Sequence, residues 1–168
     1  GNGCVGKRTF FHPTVAMLAL FDEPVNGFNG APQAVYSHQF LERGPDKVGF
    51  FLEVAPIHPV LAATVSTASF GSMHELMSQL PHVQATIALS VYGILPNDEG
   101  GTVGIADKGY GRLRIDYPLT PQHFEAFREA CRRIAEIQFA AGAREIFSLH
   151  HEPVRLKSLA DLPLLDRA

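Results

Sequence analysis

Overlapping glycine patterns open the chain, in the stretch "GNGCVGKRTFFHP". The first, third and sixth residues match G-x-G-x-x-G, while Gly6 and Lys7 complete most of G-x-x-x-x-G-K, and both patterns can hold a phosphate. Phosphate binding needs a strand before the loop and a helix N-terminus after it. Here "RTFFHP" favours an extended chain, because it is aromatic and β-branched and Pro13 disfavours a helical His12. We therefore expect a glycine-rich lead-in to a strand.

Eight histidines raise the question of a metal or catalytic site. His151 and Glu152 would begin the zinc motif H-E-x-x-H, but its last position is Arg155, and Pro153 would interrupt the helix that the motif requires. His58, His74 and His82 share no ligand spacing. The sequence therefore predicts no metal site.

Nucleophilic catalysis also lacks a recognisable pattern. The chain contains no G-x-S-x-G elbow, and several of its serines lie in a loop of small residues without a readable base. The acidic pair Asp22 and Glu23 precedes Pro24, where a solvated turn is the simpler interpretation. Residue chemistry alone thus predicts an α+β domain and no specific reaction.

Composition narrows the class of protein. The chain has 168 residues and a net charge of -3, without a basic run, which argues against nucleic-acid binding. Its longest apolar run, "TVAMLALF", is too short to span a bilayer. Two cysteines without ligand or disulfide spacing favour a reducing compartment, the cytoplasm. Because the chain starts at glycine and shows no signal-peptide pattern, we expect its native N-terminus to lie upstream.

Strand patterns alternate with turn-forming clusters over the first half of the chain. They cover residues 14–21, 33–40, 48–55 and 84–92. In the third segment every second residue is apolar, and Phe51 and Glu53 point to the other face. In the fourth segment apolar and polar residues alternate, as is typical of a half-exposed strand.

A hairpin and two helices follow from the remaining patterns. Segments 102–106 and 112–117 flank a short glycine-containing connection. Its second strand is expected to turn Leu113, Ile115 and Tyr117 inward and Arg112, Arg114 and Asp116 toward water.

The clearest helix pattern begins after Thr120, a natural N-cap, with Pro121 at the first position, and ends at Gly142. Its expected core stripe consists of Phe124, Phe127, Cys131, Ile134 and Ala141. A shorter helix is expected near residues 72–80, ended by Pro81. The fold class predicted is α+β, with a mostly antiparallel sheet of about five or six strands and helices packed on one face.

Several longer phrases resemble a known family. "VGKRTFFHPTV" resembles the segment of glucose-methanol-choline (GMC) flavin oxidoreductases that leads from the FAD-binding part into the substrate domain. "FDEPVNGFNGAPQAVYSHQF", "FFLEVAPIHPVLAAT" and "RIDYPLT" resemble the long-chain alcohol oxidase-like branch. The resemblance extends from about Val5 to about Leu159.

This resemblance implies an FAD-dependent oxidoreductase acting on the CH–OH group of an alcohol. It implies that residues 1–13 are a linker from the FAD-binding part of the same polypeptide, 14–160 the substrate-binding domain, and 161–168 a tail toward a C-terminal catalytic segment. Residues near the cofactor at this joint would be Val5, Gly6, Lys7, His12 and Pro13.

The substrate implied is a small apolar alcohol, because an aromatic sheet face binds apolar groups and excludes water from a flavin. Tyr36, Phe51 and Glu53 would line its pocket. The catalytic histidine of the family lies in a segment that this chain does not contain, and His150 and His151 do not match it. We therefore expect the isolated chain to bind no FAD and to be inactive.

Two other functions remain open on the residues. A free-standing module that binds an apolar ligand without catalysis would use the same sheet. A self-contained hydrolase would use serine or histidine residues, among them His150 and His151.

Overall fold

The computed structural model describes residues 2–65, 70–91, 99–107, 111–150 and 152–167. Its strands are β1 (Thr14–Leu20), β2 (Tyr36–Ser37), β3 (Gly49–Ala55), β4 (Val83–Val91), β5 (Thr102–Asp107), β6 (Arg112–Asp116), β7 (Glu145–Ser148) and β8 (Arg155–Leu156). Its α-helices are α1 (Pro59–Val65), α2 (Phe70–Gln79) and α3 (Pro121–Ala140), and short 3-10 helices span Leu80–His82 and Leu159–Arg167.

Six strands form one sheet in the order β2-β3-β4-β1-β7-β8, and every neighbouring pair is antiparallel. Strands β5 and β6 form a separate two-stranded sheet. The predicted α+β class, with a mostly antiparallel sheet of about five or six strands, is confirmed by this six-stranded sheet. The predicted strand over 33–40 contracts to the two residues of β2, while the other predicted strands end within two residues of those observed.

Helix α3 covers one face of the sheet. The core between them contains Met17, Phe50, Ile134, Ile146 and Leu156, all fully or almost fully buried. The last 3-10 helix packs against the same core through Leu165, and Asp166 forms an ion pair with Arg132 of α3. This 3-10 helix is therefore part of the unit that packs around α3 and the six-stranded sheet.

Among the described residues, segments close in the chain cover one end of the opposite face of the sheet. Leu18 and Leu20 of β1, with Val83 and Ala85 of β4, form a second cluster there. Ile57, Ala62 of α1 and Leu80 cover this cluster. The rest of this face extends from the second cluster toward the start of β1.

Helix α3 begins and ends where its sequence signals predict. Thr120 is its N-cap, and the backbone N–H of Thr120 donates to Nδ1 of His123 at 3.0 Å. Gly142 follows its end with φ +96°, a left-handed conformation that glycine adopts without strain. The helix boundaries were thus encoded locally.

The predicted core stripe of α3 is partly wrong. Cys131 and Ile134 are buried as expected, but Phe124 and Ala141 are exposed. The buried positions also include small residues: Ala126, Ala130 and Ala135. Alanines let the helix approach the sheet closely, so that bulky Phe124 is displaced to the rim.

Two predictions about strand faces also need correction. In β6, Leu113 and Ile115 are exposed to solvent, not turned inward, because the hairpin stands apart from the main sheet. In β4, the polar Thr86 and Ser90 are buried on the α3 side of the sheet, and the Nε2 of Gln138 in α3 donates to Oγ1 of Thr86 at 3.1 Å. Alternation in the sequence identified two faces of β4 without showing which of them α3 covers.

Candidate functional site

Three predicted substrate residues lie on the sheet face opposite α3. Tyr36 of β2 pairs with Glu53 of β3, and Glu53 pairs with Ile87 of β4. Phe51 lies two residues before Glu53, so both side chains point to the same face. The strand register therefore brings Tyr36, Phe51 and Glu53 together.

Two histidines flank this group. The ring of His38 lies 4.6 Å from that of Tyr36 and 6.2 Å from that of Phe51, measured between centroids. The ring of His12 lies 6.2 Å from that of Phe51, with the two planes inclined at 68°. We call Tyr36, Phe51 and Glu53, with His12 and His38, the open face.

A hydrogen bond to the backbone fixes the tautomer of the His12 imidazole. Its Nδ1 lies 3.0 Å from the carbonyl oxygen of Ser90 in β4. A carbonyl only accepts hydrogen bonds, so Nδ1 carries the hydrogen. In the neutral imidazole, Nε2 is then free to accept a hydrogen bond. His12 can therefore accept a hydrogen bond from a hydroxyl group at the open face.

The open face combines apolar walls with a solvent-accessible carboxylate. The side chain of Tyr36 is 58% exposed, while Phe51 and Glu53 are half-buried. Ala16, Ile87 and Leu89 form the floor between them on the paired strands. Within the described part of the chain, no ion pair or hydrogen bond engages the carboxylate of Glu53. This carboxylate is available to a ligand.

The five predicted cofactor-joint residues lie in two places. His12 and Pro13 contact the main sheet, where the carbonyl of Pro13 accepts from the N–H of Ser90 at 3.0 Å. Val5, Gly6 and Lys7 lie beside the hairpin instead, and the side chains of Val5 and Lys7 are exposed. Of these five residues, His12 is the one that reaches the open face.

The opening glycines serve a backbone contact. The carbonyl of Gly6 accepts from the N–H of Val103 at 2.7 Å, and a Cβ at Gly6 would collide with the carbonyl of Val103. Its φ is +78°, a conformation suited to glycine. Downstream comes strand β1, as predicted, and not a helix. Gly6 thus allows the chain to approach the hairpin closely.

Sequence reasoning missed His38 as a member of the site. Its only signal was its position two residues after Tyr36, which in a strand places both side chains on one face. The predicted strand over 33–40 implied this proximity. Its contact with Phe51 required the pairing of β2 with β3 as well.

A serine–histidine pair occurs on the α3 side of the sheet. Oγ of Ser148 lies 2.8 Å from Nδ1 of His150 and accepts from the N–H of Val154 at 2.9 Å. Ser148 is fully buried, so a substrate carbonyl cannot reach its hydroxyl. This pair holds the turn before β8 and does not support the hydrolase alternative. His151 lies outside the described residues.

A small cleft lies next to this pair. Its volume is ≈ 220 Å³, and its walls include Phe124, Phe127, Cys131 and His150. Burial raises the pKa of the Cys131 thiol to about 11, against a smaller opposing effect of the Arg132 charge. A thiol in this state is a poor nucleophile at neutral pH.

Two properties of the described residues concern metal ions and membranes. Among them, no three His, Cys, Asp or Glu side chains form a group that could hold a metal ion. None of the described helices is both long enough and apolar enough to cross a bilayer.

Sequence comparison finds two related proteins of Mycobacterium tuberculosis, from strains CDC 1551 and H37Rv, each described as an uncharacterized GMC-type oxidoreductase. Each is 24% identical to this chain over 162 residues, which is 96% of this chain and 24% of the relative. The match supports the GMC family. The chain spans about a quarter of the length of these GMC-type relatives. No protein-family model matches the chain.

Proposed function

We propose that this chain is the substrate-binding part of an FAD-dependent GMC-type oxidoreductase, and that the whole enzyme oxidises the CH–OH group of an apolar alcohol. The observation that carries this proposal is the open face, where Tyr36, Phe51 and Glu53 meet His12 of the opening segment. Helix α3 covers the other face of the sheet. The open face is therefore the surface that a substrate would contact, and we place the whole enzyme in the long-chain alcohol oxidase-like branch that the sequence resembles.

The residues of the open face suit an apolar alcohol. The rings of Phe51 and Tyr36 provide apolar walls that bind an alkyl chain and exclude water. Glu53 and Nε2 of His12 provide acceptors for the substrate hydroxyl. The alcohol carbon would give its hydride to the FAD that the whole enzyme binds.

The residues of this chain fit the part of an FAD site that contacts the flavin ring better than the part that holds the pyrophosphate. Gly6 is engaged by Val103, and β1 follows the opening segment, so no helix N-terminus is present there to hold a pyrophosphate. His12 and Phe51, in contrast, offer one wall to a flavin ring. We therefore assign the dinucleotide site to another part of the polypeptide.

The domain division follows from this assignment. Residues 1–13 link the FAD-binding part to the substrate-binding domain of residues 14–160, and residues 161–168 lead toward a catalytic segment that supplies the base. We place the whole enzyme in the cytoplasm because the two cysteines of this chain lack disulfide spacing, which favours a reducing compartment. The isolated chain is expected to be colourless and inactive.

The test compares two proteins: the isolated chain and the product of the full reading frame that encodes it. Flavin absorbance and oxidation of primary alcohols of increasing chain length are measured for both. We expect flavin and activity only in the longer protein, with kcat/KM rising with alkyl length. The variant Phe51→Ala should lower kcat/KM for long alcohols about tenfold, the usual effect of losing apolar contact. Val60→Ala, at an exposed position of α1, is the matched control.

Other results would point elsewhere. Flavin bound to the isolated chain would contradict the division into two parts. A full reading frame of this length that binds alkyl ligands without flavin would support the free-standing binding module instead. Equal activity of the Phe51→Ala and Val60→Ala variants would show that the open face does not bind the substrate.

A further inference from the structure

The β5–β6 hairpin carries an uncovered apolar face. Val103 pairs with Ile115, and Ile105 pairs with Leu113, so the four side chains share one face of the ribbon. Ile105 and Leu113 are each 67% exposed, and Ile115 is 54% exposed. We call these four residues the hairpin face.

The opposite side of the same ribbon is polar. Gly104 pairs with Arg114, and Thr102 pairs with Asp116. A guanidinium nitrogen of Arg114 lies 3.9 Å from a carboxylate oxygen of Asp116, and both side chains are well exposed. One side of the ribbon is thus suited to water, while the hairpin face has the composition of a surface that is buried against protein.

The base of the hairpin is firmly attached to the opening segment. Thr9 and Gly101 exchange two backbone hydrogen bonds, at 2.9 and 2.7 Å, and Val103 donates to Gly6. The phenol of Tyr117 hydrogen-bonds to both backbone groups of Phe11, and the two rings lie 4.9 Å apart. An isolated two-stranded hairpin is marginally stable in water. These contacts orient the ribbon while leaving the hairpin face uncovered.

We propose that the hairpin face docks onto the FAD-binding part of the same polypeptide. This proposal rests on the proposed function. The relatives are about four times as long as this chain, since the match covers 24% of each. The hairpin is continuous, through Gly6, Thr9 and Phe11, with the segment that resembles the joint to the FAD-binding part. The partner is therefore a protein surface of apolar side chains that lies across that joint.

The test measures thiol labelling of a cysteine placed on each side of the ribbon, in a Cys4→Ser background that removes the exposed native thiol. Ile105→Cys probes the hairpin face. Gly104→Cys is the matched control, since a Cβ there meets nothing within 4 Å. We expect labelling of the Ile105→Cys variant to slow by about tenfold or more in the full-length protein relative to the isolated chain, because burial excludes the reagent. The Gly104→Cys variant should label equally in both.

Equal labelling of the Ile105→Cys variant in both proteins would overturn the proposal. Protection in the isolated chain that grows with its concentration would assign the hairpin face to a second copy and would also overturn it. Hydrogen–deuterium exchange of the hairpin in the two unsubstituted proteins gives the same comparison if a variant fails to fold. Flavin content and alcohol oxidation of the same full-length preparation report on the proposed function separately, so that either idea can fail alone.

Discussion

Tyr36 lies directly opposite Glu53 across the β2–β3 pair, which places a phenol and a half-buried carboxylate side by side on the open face. Strand β2 has only two residues, so this pairing occupies half of its length. The position of Tyr36 over the sheet thus depends on a very short ladder. Any ligand that contacts both side chains would also strengthen this edge of the sheet.

The charge of Glu53 can be tested separately from its shape. Because the carboxylate has no ion-pair partner within the described residues, Glu53→Gln should leave the melting temperature nearly unchanged. In the full-length protein it should lower kcat/KM for an alcohol by about 10- to 150-fold, since a hydrogen bond to a charged group contributes roughly 1.5–3 kcal/mol and 1.4 kcal/mol corresponds to about tenfold. Steady-state kinetics and thermal denaturation provide the two measurements. Glu23→Gln, at an exposed position beyond β1, is the control; equal kinetic effects of both variants would contradict a role for Glu53.

Helix α3 offers a matched pair of isoleucines for testing the core. Ile134 is fully buried against the sheet, whereas Ile137 on the same helix is 48% exposed. Ile134→Ala should lower the free energy of unfolding by about 2–5 kcal/mol through loss of contacts and formation of a cavity. Ile137→Ala should change it by less than about 1 kcal/mol. Urea denaturation followed by circular dichroism measures both; similar losses would show that α3 does not pack as described.

Substitutions at Gly6 and Gly3 distinguish the effect of a steric collision from the effect of backbone strain. Both have positive φ, +78° and +70°, but a Cβ meets the carbonyl of Val103 only at Gly6, and nothing within 4 Å at Gly3. Gly6→Ala should therefore break the hydrogen bond from Val103 and speed deuterium exchange of that amide. Gly3→Ala should leave the exchange rate of Val103 unchanged. Identical exchange in the two variants would exclude a close approach of the opening segment to the hairpin.

The raised pKa of the Cys131 thiol should make the stability of the fold depend on pH in the alkaline range. Its pKa rises from 9.0 to about 11 in the folded chain, so the unfolded chain loses this proton first as the pH increases. The stabilising contribution is complete below pH 9.0 and is lost between 9.0 and about 11, with a slope of up to about 1.4 kcal/mol per pH unit.

Urea denaturation at pH values across this range measures the slope, and Cys131→Ala is the control that removes it. At neutral pH, a thiol reagent should modify exposed Cys4 and spare buried Cys131. Rapid modification of Cys131 in the folded chain, or the same alkaline slope in the Cys131→Ala variant, would contradict the assigned environment.

Local signals in the sequence were sufficient for several elements of the fold. Thr120, Pro121 and Gly142 predicted the limits of α3, because caps and turn conformations depend on neighbouring residues only. Strict alternation in β3 correctly separated the buried Phe50 from Phe51 on the other face. The predicted composition of the open face from Tyr36, Phe51 and Glu53 relied on the same rule.

Short pairing segments could not be predicted in this way. Strands β7 and β8 have four and two residues, too few for a periodic pattern, and their strand conformation depends on pairing with β1 and with each other. Strand β2 is limited to Tyr36 and Ser37 by its partner in β3, although its extended pattern is longer. Partners distant in sequence therefore set these lengths.

Local sequence patterns were enough to predict the α+β class, the limits of α3 and the division of β3 and β4 into two faces. Contacts between distant segments set three other features: Thr86 and Ser90 are buried on the α3 side, His38 and His12 meet at Phe51, and Leu113 faces solvent. The physical reason is that alternation specifies which side chains share a face, whereas burial depends on the element that packs over it. The hydroxyl of the buried Thr86 accepts a hydrogen bond from Gln138, which compensates for its burial and comes from a residue 52 positions away in the chain.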